Sequence, residues 1–251
     1  MQLLALLMGA FIGGAAGYLG TLMLSQRMSL VAGPLGHLTL PGVALAFIFG
    51  FDVSLGAFPF VILGVILIWL FEMRTRLPME ALTAIVFASG VAITFLFLPE
   101  EQTMPALIGD VSQISLSVTT MTLALSLIIL FATKSIYSKM VLASISEDLA
   151  KVEGIDLKKY NLIYLICIAL MVALGVRIVG SLMTAALVAI PACTSRNLSK
   201  NLLQYSYGGI ISGSLACALG ILGSSFTGIP VGPLIIIVSA LFFVISLIFK
   251  R

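Results

Sequence analysis

Apolar residues in this chain come in long unbroken runs, and short polar stretches divide them. A helix that crosses a bilayer needs about 20 mainly apolar residues. Residues 2–25 meet that length, and Gly9, Gly13 and Gly17 recur at every fourth position, which predicts a smooth face for close helix packing. Arg27 ends the run. A second span is predicted over 35–50, a third over 54–71, a fourth over 81–98 and a fifth over 115–133. Asp52, then a polar loop with Glu72, Arg74, Arg76 and Glu80, then PEEQTMPALIGD with Glu100, Glu101 and Asp110 separate them. Residues 134–160 form the one sizeable polar connection. The apolar stretch 161–194 is interrupted only by GVRIVG around Arg177. A straight helix of that length would run roughly 50 Å, against an apolar core of about 30 Å. Two spans with a tight turn near Arg177 are expected, one long broken helix being the alternative. Spans over 203–223 and 231–249 close the pattern.

The second span differs from the others. RMSLVAGPLGHLTLPGVALAFIF, residues 27–49, carries Gly33, Pro34, Gly36, Pro41 and Gly42 within an apolar run, and the chain's single histidine, His37, lies among them. Backbone polar groups in lipid need partners inside the protein, so such a segment is expected to be shielded by protein or to line a cavity. Interrupted spans of this kind point to a transport pathway.

Composition agrees with this reading. Of 251 residues, 61% are hydrophobic and 9% charged, against roughly 25% charged in soluble domains; mean hydropathy is +1.22. The fold class is all-α, a polytopic membrane protein with eight to nine crossings in a single domain over 1–251. Continuous apolar runs exclude the alternating pattern of a membrane barrel. With the N-terminus outside, the inner loops collect every basic residue except Arg177, while Asp52, Glu100, Glu101 and Asp110 fall outside; this satisfies the positive-inside rule. Residues 2–25 lack a preceding basic region and are expected to be a retained first helix. Cys167, Cys193 and Cys217 stand singly in apolar runs and are expected to be packing residues.

Three features bear on chemistry. His37 is a ring satisfied by a backbone carbonyl between helices, or a metal ligand or gate assisted by Thr39, Thr184 and freed carbonyls. SISEDLAKVEGIDLKKY predicts a short helix capped by Ser144 or Ser146, with Glu147 and Asp148 in its first turn, Leu149 and Val152 facing one way, and Gly154 as its stop. It is an amphipathic surface helix or a docking helix for a cytoplasmic partner. VRIVGSLMTAALVAIPACTSR, residues 176–196, is rich in small residues, with Pro191 near its end; it packs helices or lines a pathway. No GxxxxGK[ST] occurs, so this chain does not hydrolyse ATP through a phosphate-binding loop, and no HExxH occurs. Nothing suggests nucleic-acid binding.

Several stretches, in order along most of the chain, resemble one family: the ABC-3 type membrane permeases of bacterial importers for manganese, zinc and iron. They are MSLVAGPLGHLTLPGVALAF, EDLAKVEGIDLKKYN, VRIVGSLMTAALVAIPACTSR and GIPVGPLIIIVSALFF. The resemblance implies a type II importer permease in the plasma membrane, homodimeric, with the path at the dimer interface. It implies a cytoplasmic ATP-binding subunit and an extracytoplasmic metal-binding protein as partners, no covalently bound cofactor, and a divalent metal ion as cargo. His37 matches the family histidine. Asp148, Leu149, Ala150 and Gly154 match the coupling motif, and Pro41, Gly42 and Pro191 match structural positions. The chain departs where the family has Asp four residues before the histidine and Ser just before it: Gly33 and Gly36 stand there. A permease for a non-metal solute and a non-transporting membrane scaffold or binding subunit are the alternatives.

Overall fold

The computed structural model describes residues 2–28, 32–51, 53–75, 77, 79–97 and 116–249. Asp52, Arg76, the acidic loop with Glu100, Glu101 and Asp110, and the terminal Lys250 and Arg251 lie outside the described residues. The helices are α1 Gln2–Ser25, α2 Ala32–His37, α3 Leu40–Phe49, α4 Val53–Arg74, α5 Met79–Phe97 and α6 Leu116–Ile145. Then come α7 Glu147–Val152, α8 Leu157–Val179, α9 Thr184–Leu198, α10 Leu202–Thr227 and α11 Val231–Ile248.

The all-helical class holds among the described residues, but the expected eight to nine crossings are not matched. Among the described residues six helices are long and apolar enough to span: α1, α4, α6, α8, α10 and α11. The second expected span is split at Leu38–Thr39 into helices of 6 and 10 residues. α5, at 19 residues, is near the lower limit for a span, and α9 has 15 residues, about 22 Å of helix. The polar connection also begins later than expected. No breaker follows residue 133, so α6 runs on to Ile145 for 30 residues. At about 45 Å it is longer than a bilayer core of about 30 Å, and Lys134 and Lys139 lie in its second half. The turn expected near Arg177 is present: α8 ends at Val179, and Gly180 takes φ +80.

α1 is the hub. Its middle is buried from Ile12 to Met23, and it packs against α6, α9 and α10. The Gly9–Gly13–Gly17 face meets a matching face on α10. A Cβ on Gly13 would run into the Gly213 carbonyl and the Cys217 sulfur, and one on Gly17 into the Gly209 carbonyl. Apolar burial drives helix association weakly in lipid, so close backbone approach and hydrogen bonds replace it. Ser214 Oγ donates to the Ala10 carbonyl at 2.8 Å, and Tyr205 OH to the Thr21 carbonyl at 3.0 Å. Thr21 and Tyr137 share a hydroxyl bond at 3.0 Å, which ties α1 to α6.

Polarity is turned inside out. Thr119, Thr122, Ser126 and Thr133 of α6 are buried, while Leu127, Ile128 and Phe131 on the same helix are exposed. Polar contacts bring several of the described basic residues to one end of the bundle, with Arg177 apart from them in the last turn of α8. Gln26 Nε2 donates to the Met140 carbonyl at 2.6 Å, Asn161 Nδ2 to the Glu72 carboxylate at 3.1 Å, and Lys139 Nζ to Tyr160 OH. These bonds draw the Arg27, Arg74, Lys139 and Lys158 regions together. Arg196 stacks over Tyr205, whose hydroxyl reaches the same stretch of α1.

Gly17→Val should destabilise the bundle by at least about 1–3 kcal/mol through overpacking, read as early loss of the monodisperse protein on heating. Gly223→Ala, whose Cβ would meet only Leu234 at 3.8 Å, should melt like the wild type.

Candidate translocation site and partner-facing helix

The break between α2 and α3 is built by its own residues. Pro41 falls in the first turn of α3, where a missing N–H is harmless. Thr39 is fully buried, and the Gly36 carbonyl accepts both its hydroxyl at 2.6 Å and its N–H at 3.3 Å. The Pro34 carbonyl accepts the Leu38 N–H at 3.2 Å. The polar groups of the interruption therefore bond locally.

Neighbouring helices wall the break. Gly36 lies so close to the α8–α9 turn that a Cβ there would come within 2.7 Å of the Ser181 carbonyl oxygen and 3.6 Å of Thr184. A Cβ on Gly33 would meet Ala185 at 3.4 Å. Leu38 wedges its two methyls against Gly64 of α4 and Gly90 of α5. Both glycines sit near the middle of their helices, so the break lies near mid-span. Beside it a cavity of about 290 Å³ is lined by Leu38, Pro41, Phe60, Gly64 and Gly90. Gly42 and Gly56 bring the α3 and α4 backbones together at the next turn.

His37, at the C-terminal end of α2, is partly buried. Its ring centroid lies 5.5 Å from that of Phe87 on α5, tilted by 47°. Among the described residues no three His, Cys, Asp or Glu side chains gather into a metal-binding group. Gly33, one turn before His37, supplies no carboxylate. Thr184 adjoins Gly36, but its hydroxyl donates to the Gly180 carbonyl at 2.6 Å. Pro191 stands apart from this group: it packs on Gly17, and its carbonyl accepts Ser212 Oγ at 3.1 Å. Phe87, Ser181, Gly64 and Gly90 belong to the walls and carry no sequence signal, since they lie on other elements at no fixed spacing from His37.

The candidate docking helix is α7, Glu147–Val152. Ser146 caps it, its hydroxyl accepting the Leu149 N–H at 3.2 Å, in extended backbone that ends α6. Ser144 instead bonds back to Val141 in α6. Ala150 is fully buried, while Leu149 and Val152 are 48% and 84% exposed and face outward together. Asp148 is exposed, and Lys151 pairs with it at 3.7 Å and with Glu147 at 3.8 Å; such exposed pairs contribute little. Gly154 takes φ +72 with open space around it. That left-handed turn stops α7, and Asp156, accepting the Lys159 N–H, opens α8.

A sequence model of the ABC 3 transport family matches residues 1–250. This chain belongs to that family. As an ABC 3 permease it is a multi-pass membrane protein. Among its relatives is the high-affinity zinc uptake system membrane protein ZnuB of Haemophilus influenzae, 30% identical, with 98% of this chain and 96% of that protein aligned. The manganese import system permease protein ScaB of Streptococcus parasanguinis is 27% identical over 96% of this chain and 88% of its own length. The fold matches the solved structure of PsaBC from Streptococcus pneumoniae in complex with Fab. There the TM-score is 0.82 at 24% identity, covering 96% of this chain and 89% of that one.

Thr39→Val keeps the side-chain shape and leaves the Gly36 carbonyl without the hydroxyl. It should cost about 1 kcal/mol and speed labelling of a cysteine placed at Phe87, measured as the rate of modification in membranes.

Proposed function

We propose that this ABC 3 permease is the membrane subunit of an ATP-binding-cassette importer that moves a divalent metal ion (zinc, manganese or iron) past the break at His37. The observation that carries this reading is the interrupted helix pair α2–α3, walled at mid-span by α4, α5, α8 and α9 and ending at the chain's single imidazole. Broken helices near the midplane are where carriers expose backbone groups to cargo. A neutral imidazole is a ligand for zinc, manganese and iron. The names of the relatives, a zinc uptake protein and a manganese import permease, support the cargo class.

The finer architecture follows the same reading. The α2–α3 pair counts as one broken crossing, and α5 and α9 as short ones, which with the six long helices gives nine. The gathered basic end is cytoplasmic, in keeping with the positive-inside rule. Two copies form the path between them. This chain carries no phosphate-binding loop, so a separate cytoplasmic ATP-binding subunit supplies the energy and docks on α7 through Leu149 and Val152, with Asp148 beside them. Ala150 anchors α7 to the membrane part, and Gly154 fixes its exit. An extracytoplasmic metal-binding protein delivers the ion. ATP binding closes the motor subunits, moves α7, and changes the opening at the break through α8 and α9. A non-metal cargo is the second reading, favoured by Gly33, where no carboxylate joins His37.

The test is uptake in proteoliposomes holding the permease and its cognate ATPase. His37→Ala should lower zinc or manganese transport at least about ten-fold while ATP hydrolysis continues; unchanged transport rejects the ligand role and favours the non-metal cargo. Gly154→Glu adds left-handed strain of about 1–2 kcal/mol and a charge. It should separate ATP hydrolysis from transport with membrane insertion intact, and normal uptake in that variant would remove the docking role from α7.

A further inference from the structure

A cleft of about 540 Å³ opens where the C-terminal half of α9 meets α10 and α11. This falls in the range of about 300–1,000 Å³ typical of small-molecule sites. Its apolar wall includes Ile211, Leu215 and Ile245, which are 60%, 50% and 50% exposed. They lie on helices long and apolar enough to cross a bilayer. Hydroxyls also line the cleft, but they are spent inward. Ser195 donates to the Tyr205 carbonyl at 2.6 Å, Ser199 to the Ser195 carbonyl, and Ser212 to the Gly208 carbonyl at 2.8 Å. A guest therefore meets a wall without free donors along these residues.

The mouth is different. Lys200 stands there, and neither ion pair among the described residues involves it. Gln204 accepts the Lys200 backbone N–H through its side-chain oxygen at 3.0 Å, which keeps its amide nitrogen as a donor. A cation and an amide donor thus cap an apolar trough, at the end of the bundle where the basic residues gather.

We propose that this cleft seats an anionic glycerophospholipid of the inner leaflet. One acyl chain lies along Ile211, Leu215 and Ile245, and the phosphate meets Lys200 and Gln204. Anionic lipids concentrate on the cytoplasmic leaflet and are held there by basic side chains. A second copy of the chain fits less well, because a two-fold axis through the cleft would set Lys200 against its own copy, like charge against like. Ser212 lies between the lining residues Ile211 and Leu215, and its hydroxyl also reaches the Pro191 carbonyl. A seated lipid therefore presses α10 onto the proline-bearing part of α9. The proposal rests on the orientation proposed above, with this end of the bundle cytoplasmic, and is independent of the cargo.

The test uses the full-length permease purified with its ATPase, stripped of lipid, and given phosphatidylglycerol, phosphatidylcholine of the same chains, or inorganic phosphate. Native mass spectrometry should show preferential retention of phosphatidylglycerol, with a matching rise in melting temperature. Lys200→Gln should cut that preference about five-fold and leave phosphatidylcholine retention unchanged. Ile211→Trp, which fills the trough, should lower retention of both lipids at unchanged helicity. Equal retention of the two lipids by the wild type would overturn the proposal, as would an unaltered preference in Lys200→Gln. Protection by inorganic phosphate equal to that by the lipid would mean a free-phosphate site. Efficient disulfide cross-linking of Ile211→Cys between two copies in membranes would mean that another permease covers the cleft.

Discussion

A peptide group in hydrocarbon has no water to bond, so a spanning helix can be interrupted only where the surrounding protein takes over. The α2–α3 break depends on this. Its carbonyls are answered by Thr39 and Leu38, and its flanks are closed by Ser181, Gly64 and Gly90. The wall glycines matter as much as the breakers. They let Leu38 sink into α4 and α5 and let α2 lie directly on the α8–α9 turn. His37 is thereby held at a mid-span discontinuity rather than on a lipid-facing helix.

The rest of the bundle holds that site in place with the interactions that bilayers leave open. Backbone meets backbone along the α1–α10 glycine faces. Four hydroxyls of α6, on Thr119, Thr122, Ser126 and Thr133, are buried, and many others, such as Thr94, Thr194 and Ser199, bond the carbonyl one turn back on their own helix. That habit hides a polar group without a tertiary partner. Large apolar side chains cover the outside, as lipid requires. The α7 segment obeys other rules. A serine cap, a glycine stop and a buried alanine make it a short rigid unit on the surface, joined to the core through the long overhang of α6.

Much of this was legible in the residue order. The continuous apolar runs, the smooth Gly9–Gly13–Gly17 face, the interruption around His37, the cap and stop of the 146–154 helix, and the turn after Arg177 all come from local spacing. Local chemistry sets them: breakers interrupt, Ser146 caps, and a glycine takes positive φ where other residues resist. Four-residue periodicity on α1 announced a close partner without naming it.

Tertiary structure decided what local chemistry leaves open. That α10 is the partner of α1, that Phe87 flanks His37 while Ser181 backs Gly36, and that Pro191 serves the α1–α10 contact rather than the histidine are facts of contact between distant segments. The number of long crossings also departed from the count of apolar runs. Hydropathy measures how greasy a stretch is, whereas helix length depends on where the backbone can keep its own hydrogen bonds. Residue order thus determined that the chain threads a membrane and breaks at His37; only packing determined what surrounds that break, because surfaces meet in space and not along the chain.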